Sequence, residues 1–576
     1  MSVTGALRWA ALLTAAAVTA GCGIVSSGMS AQVPTSGPIE QGEQVGVEPE
    51  DQFIRVIARE PRPDMSPSQI VQGFLDASAS FYGDQAVARM YLTPTANGEW
   101  RPGAGVIVYE GAASLQERSS SVDFSAAQAG TIESNGRYEV SGPAAEFNTV
   151  FELEKVDGEW RIARLPQGLV LSQPDVERAY RSFAVYFFNP SFDTLVPDAR
   201  MIPVIGSGLA TALIRELLAG PSQWLEPAVR TGLPQGVRLN IDAVPIEAGV
   251  ARVDLTANAQ TADDATRQAM SQQIVWTLKQ LPDVQAVDIT AGGQPLIVPG
   301  VSSPQPRDAW PEVDPNALPA GSLGYATRPE GVVKLVGDSV TPAPGMAGTG
   351  DVTLVEIAIA NDSSTIAGVD LEGAVWQGRL ADGAPLIRVR DPGEPTGIAF
   401  DGSSSLWVTD AQDGPLAVSS DGSSRKITVD GLGRRIDLLA VLPSRDGTRA
   451  LLVIRRGPRT GILLARVLRT AEDTSRVVVN EPIRVENGLT EVVDAAWSGA
   501  DSVAVLGSET AGSLQVFDVD LARGTLSTNG SPQGPLSVAA APGLPTLVGS
   551  ADGLVYGLTA GAWAEKVRGS EPAYPG

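Results

Sequence analysis

The rhythm of apolar positions changes several times along the chain. Trp9–Ala20 (WAALLTAAAVTA) is an uncharged apolar run. It is too short to cross a bilayer as a helix, which takes about 20 residues, and has the length of the apolar core of a secretory leader. From Gly23 to Gln52 apolar residues thin out among Gly, Pro, Ser and Gln, with Glu40, Glu43, Glu48, Glu50 and Asp51 interspersed. Such a stretch buries too little to offset its ordering entropy and predicts a disordered tether with a reach of roughly 30 Å.

Folded patterning begins at Phe53. FIRVIA (53–58) alternates like a strand, and Ser66-Pro67 reads as an N-cap with proline in the first helical turn. The helix it opens places Ile70, Phe74, Ala77 and Phe81 on one face, and a second short helix is predicted over Asp84–Tyr91. The runs GVIVYEG, RYEVSG, TVFELEKV and EWRIARL then alternate as strands, the last two joined by the turn residues Asp157-Gly158. Helices followed by an antiparallel sheet give an α+β domain over 53–175, which resembles the cone-shaped nuclear transport factor 2 class.

A second, smaller α/β pattern occupies 176–300. Leu209, Leu213 and Leu217 stripe a helix that stops at Gly220-Pro221; Met270, Ile274, Leu278 and Leu281 stripe a longer one, with Asp263 and Asp264 at its positive end. VRLNIDAVPIEAGVARVDLT and VQAVDITAGG read as strands. LIRELLAGPS, GVARVDL and IVWTL at these spacings resemble the GerMN domain. Met270 and Trp276 suit a ligand groove, but packing of that helix face on the sheet is the cheaper account. Residues 301–329 form a Pro/Ser/Gly-rich linker.

From 330 to 576 helical periodicity disappears. A unit of short apolar strands separated by Gly, Asp and Ser turns starts at 355, 395, 436, 492 and 535. The starts lie 40 to 43 residues apart, which is the blade length of a β-propeller, with one interval of 56. Five blades are clear, and a sixth is assembled from residues near 322–345 and the last strand, so the count is five to six. The overall class is therefore multidomain α+β followed by all-β, ending in a β-propeller. Asp401, Asp421, Asp446 and Asp552 sit in the turns; calcium binding is one reading, and the tolerance of Asp for turn backbone explains them more simply. Trp376 and Trp407 suit either a glycan-binding face or the blade cores.

Composition sharpens the picture in two places. A net charge of −24 disfavours nucleic-acid partners. Among 576 residues there is no histidine and only one cysteine, which rules out Ser-His-Asp, Cys-His and HExxH chemistry. No catalytic residue, cofactor or metal site is expected. That cysteine, Cys22, follows the apolar run and the small residues Ala20 and Gly21, an arrangement that resembles the lipobox of bacterial lipoproteins. The resemblance implies cleavage after Gly21 and a diacylglyceryl group on the Cys22 thiol, although Thr19 stands where leucine is commonest. Two acyl chains hold a protein on a membrane stably where one does not.

The order of leader (1–21), lipidated tether (22–52), α+β domain, GerMN domain, linker and propeller resembles the actinobacterial LpqB lipoprotein family over the whole chain. The stretches RVIAREPRPDMSP, EWRIARLPQGLVLS, YFFNP, LVPDARMIPV and LLAGPSQWLEPAVR carry the likeness. Membership implies an extracytoplasmic, membrane-anchored lipoprotein that works with the MtrAB two-component system. The same resemblance implies contact with the extracytoplasmic domain of the sensor kinase MtrB and an effect on envelope homeostasis and division. Two rival readings stand beside it: a binding protein for wall glycan or a small ligand, and a carboxylate-based glycan hydrolase, which would need paired acids at the propeller channel.

Overall fold

The helix Pro67–Ser78 starts where the sequence places it. Ser66 forms a reciprocal capping box, its Oγ accepting from the Gln69 amide at 3.4 Å while its own amide donates to Gln69 Oε1 at 2.9 Å. The buried face comprises Ile70, Val71, Phe74, Leu75 and Ala77, and Phe74 meets Trp100 edge-on at 5.2 Å. Ser66→Ala is expected to cost about 1 kcal/mol of helix stability; hydrogen exchange at residues 68–70 should accelerate about fivefold, with Ser66→Asp retaining protection. This computed structural model describes residues 58–80, 85–204, 208–469, 476–486, 488–509 and 512–576. Cys22, the tether, most of the expected first strand and Phe81 lie outside them.

The second helix is shorter than its expected span, Ala86–Arg89, because Gln85 ahead of it is left-handed. Tyr91 leaves the helix to donate its hydroxyl to the Arg59 carbonyl at 2.8 Å. Against these helices packs a sheet ordered Glu159–Arg164, Glu146–Val156, Ser121–Ile132, Val106–Glu117 and Leu169–Ser172, its last pair parallel. The apolar pattern does not predict Ser121–Ile132 as a strand, yet it pairs along both of its edges. The Asp157-Gly158 turn forms with both residues at positive φ, which suits a two-residue hairpin.

In the next domain the helices Leu209–Ala219 and Asp264–Leu278 cover the parallel strands Val250–Leu255 and Ala286–Ala291. Asp263 caps the longer helix through the Thr266 amide at 2.8 Å, and Met270, Ile274, Leu278 and Leu281 are all buried. The expected VRLNID strand is reduced to one bridge, Leu239 to Leu255. The linker is packed: Gln305–Pro306 pairs with Ala286–Val287, and the buried Trp310 donates to Ser271 Oγ at 2.9 Å.

The remaining chain forms a propeller-like ring of six sheets. Their innermost strands are Leu354–Ile359, Pro395–Phe400, Asp437–Pro443, Glu491–Gly499, Pro535–Ala539 and Ser570–Ala573. Ser570–Ala573 pairs with Tyr325–Thr327, so the last strand closes the sheet that the linker begins. The ring and the domain before it share one hydrophobic core, in which Val185, Leu213 and Trp224 join Leu451, Val453 and Trp497. Trp224 Nε1 donates to the Glu481 carbonyl at 2.8 Å, and Arg466 donates back to the Trp224 carbonyl at 2.7 Å. Gly524 admits the first domain: any Cβ there would stand 2.5 Å from Val140 Cγ2.

Candidate functional site

A cavity of about 510 Å³ runs through the ring, lined by all six inner strands. Most of those residues are small or aliphatic, as close strand packing requires. Three are acids: Glu356, Asp494 and Glu571. Glu356 and Asp494 are placed the same way. Each follows a break in register with the neighbouring strand and accepts from the backbone of the next blade, Glu356 from the Ile398 amide at 3.1 Å and Asp494 from the Val538 amide at 2.8 Å. These register breaks are bulges, which re-aim side chains.

Burial pushes the acids above the ordinary carboxylate range: Glu356 to about 7, with Asp494 and Glu571 adding repulsion; Asp494 to about 6; and Glu571 to about 7, again with Asp494 contributing. None of them takes part in the ion pairs found among the described residues. Arg455 is the one basic side chain lining the cavity, and it is exposed. Phe400, Trp497 and Tyr574 also touch the cavity but are themselves buried, leaving little ring face for a sugar. Nothing in the repeat pattern singles out the acids. The available signal is a carboxylate early in an otherwise apolar inner strand, in VEIAIA, VVDAAW and SEPAYP.

The residues singled out from the sequence lie elsewhere. Asp401 accepts from the Ser403 and Ser405 amides at 2.9 Å and from Trp407 Nε1 at 3.1 Å, with Arg469 also donating to it. In the preceding blade Asp370 does the same, accepting from Trp376 Nε1 at 2.7 Å. Both tryptophans are thus tied to turns and not displayed in the channel. Asp446 accepts from Ser444, Thr448 and Arg449, Asp421 from the Ser423 amide, and Asp552 from the Leu554 amide and the Tyr556 hydroxyl. These are turn bonds. Among the described residues no group of three or more His, Cys, Asp or Glu is arranged to hold a metal ion. Met270 and Trp276 are buried in the shared core, with Trp276 Nε1 donating to the Trp310 carbonyl at 3.1 Å. No described helix is long and apolar enough to cross a membrane.

Asp198 and Arg449, each in a buried ion pair, line a second, smaller cavity. Arg449 donates to Asp446 at 2.6 Å and to the Ala500 carbonyl at 2.9 Å, lies 3.6 Å from Asp501 and covers the Trp497 ring. Burial alone would raise Asp446, but Arg449 and Thr448 hold it below the usual range. Arg200 makes a two-pronged contact with Asp198 at 2.6 and 2.9 Å, and the Ser222 amide and hydroxyl complete the acid's shell.

Comparison with known proteins matches the three folded parts of the chain in order. A family described as "Lipoprotein LpqB, N-terminal domain" matches residues 60–177, "Sporulation and spore germination" matches 184–297, and "Lipoprotein LpqB beta-propeller domain" matches 330–575. The first GerMN domain of the sporulation protein GerM from Bacillus subtilis is similar over 22% of this chain and 98% of its own, with 22% identity and a TM-score of 0.19. Lipoprotein LpqB of Streptomyces avermitilis is 29% identical over 96% of this chain and 97% of its own length. That of Thermobifida fusca is 31% identical over 98% of this chain and 99% of its own. Matched end to end by such relatives, which are named as lipoproteins and not as enzymes, the chain belongs to the lipoprotein LpqB family.

Proposed function

We propose that the protein is an accessory regulator of the MtrAB two-component system, held on the extracytoplasmic face of the membrane by a lipid on Cys22 and contacting the sensor domain of MtrB. The end-to-end match to LpqB lipoproteins carries this reading. The position of Cys22, behind a leader-like apolar run and ahead of an acidic tether, supports the anchor. Anchoring to the membrane that bears the kinase raises the effective concentration of the pair. The regulator then acts by favouring one state of the kinase over another, for which it needs no catalytic group. The shared core of the GerMN domain and the ring supports a single rigid body presenting one surface. We also read the first domain as nuclear transport factor 2-like, on its helices-then-sheet order, and the ring as six-bladed, on its six sheets.

A second reading, a binding protein for a small ligand or wall glycan, is supported by the acid-lined cavity; the same acids are the starting point for the glycan-hydrolase reading. In-cell photo-crosslinking followed by mass spectrometry separates them. Capture of MtrB, falling in a Cys22→Ala variant that cannot be lipidated, supports regulation. Capture of wall fragments alone overturns it.

A further inference from the structure

The mouth of the ring where the inner strands begin exposes apolar side chains. Val355, Val493 and Leu536 are 39%, 44% and 53% exposed. Each is the residue skipped at the register break of its strand. The next residue in each case is Glu356, Asp494 or Ser537, and Glu571 of the closing strand joins them in the cavity lining. Apolar side chains on three of the six inner strands therefore border an acidic throat.

The throat lacks its complement. Neither Arg455 nor any other base forms an ion pair with the three acids among the described residues. Ser537 is only 5% exposed, lines the cavity, and its Oγ has no hydrogen-bond partner. It lies near enough to Glu571 to offset some of the rise in that carboxyl, yet without bonding geometry. A buried hydroxyl left unpaired costs free energy that a ligand polar group would recover.

We propose that this mouth docks a segment of a partner protein that inserts a lysine or arginine side chain between Glu356, Asp494, Glu571 and Ser537 and lays apolar flanking residues on Val355, Val493 and Leu536. Charge complementarity selects the cation. The apolar border selects a polypeptide, because a free small amine entering the throat would leave those apolar side chains in water. The inference rests on the proposed partner contact for the occupant being a protein, and adds the surface and its chemistry.

The test uses no kinase, so it fails separately from that proposal. Random nine-residue peptides are selected by phage display on the full-length lipidated protein in nanodiscs. Enriched peptides are expected to carry Lys or Arg flanked by apolar residues. Their affinity should fall at least tenfold in the Glu356→Gln/Asp494→Asn/Glu571→Gln variant, fall severalfold in Leu536→Ser, and rise between pH 6 and 8 as the acids ionise. Glu356→Gln alone repeats the measurement should the triple variant fail to fold. Absence of enrichment, enrichment without basic residues, undiminished binding to the variants, or n-butylamine binding as tightly as the peptides would each overturn the proposal.

Discussion

Replacing Arg449 by alanine is expected to destabilise the protein by about 3–5 kcal/mol, the usual cost of stranding a buried charge. The guanidinium is 4% exposed and Asp446, 2.6 Å away, is as deeply buried. Without Arg449, Asp446 keeps the Ser444 and Thr448 bonds but loses the cation that held its carboxyl down. The damage spreads because the Asp446 loop is shared: the Asn189 side chain, in the preceding domain, donates to the Asp446 carbonyl at 3.4 Å. The Trp497 ring also loses its cover. Urea denaturation followed by tryptophan fluorescence measures the effect, and Arg449→Lys, which keeps the charge but not the planar fork, should recover only a fraction of it. A loss below 1 kcal/mol for Arg449→Ala would show that the pair contributes little beyond its own desolvation.

Thermal stability should decline by several degrees between pH 5.5 and 8. Glu356, Asp494 and Glu571 have folded-state values of about 7, 6 and 7, above those of an unfolded chain. For acids raised by folding, the favourable contribution is complete below the ordinary carboxylate range and is lost as pH rises through the folded values. Acids such as Asp446, Asp410 and Asp370 are held low and act in the opposite direction, their contribution disappearing only as pH falls through their depressed values. The optimum therefore lies on the acid side of neutrality. The three raised acids repel one another, so their effects are not additive, and screening from the cavity reduces each. Melting curves across this range check the slope. In the Glu356→Gln/Asp494→Asn/Glu571→Gln variant it should flatten; an unchanged slope would place the titration elsewhere.

The fold is legible in the sequence where a residue acts on its neighbours. Ser66, Asp263 and the Asp157-Gly158 pair do their work within a few residues, so the local order of side chains already states the outcome. The stripe Met270, Ile274, Leu278 and the turn aspartates belong to the same class. The missed strand Ser121–Ile132 shows the limit: its alternation of Val122, Phe124 and Ala126 is diluted by Ser, Gln and Thr, and only pairing along both edges makes it a strand. The VRLNID run fails in the opposite sense, with suitable residues but only the Leu239 bridge to a neighbouring strand.

By itself, then, the sequence determined the family, the modular order of α+β, GerMN and propeller domains, and the exclusion of Ser-His-Asp, Cys-His and HExxH sites, because each is written in residue type or short-range spacing. The tertiary structure alone decided that the GerMN domain and the ring share a core, that the linker is packed, and that Glu356, Asp494 and Glu571 meet in one channel. Those acids stand on strands separated by more than two hundred residues of chain, from 354 to 573. Ring closure by the last strand brings the ends of that stretch together, and no local pattern encodes such a meeting.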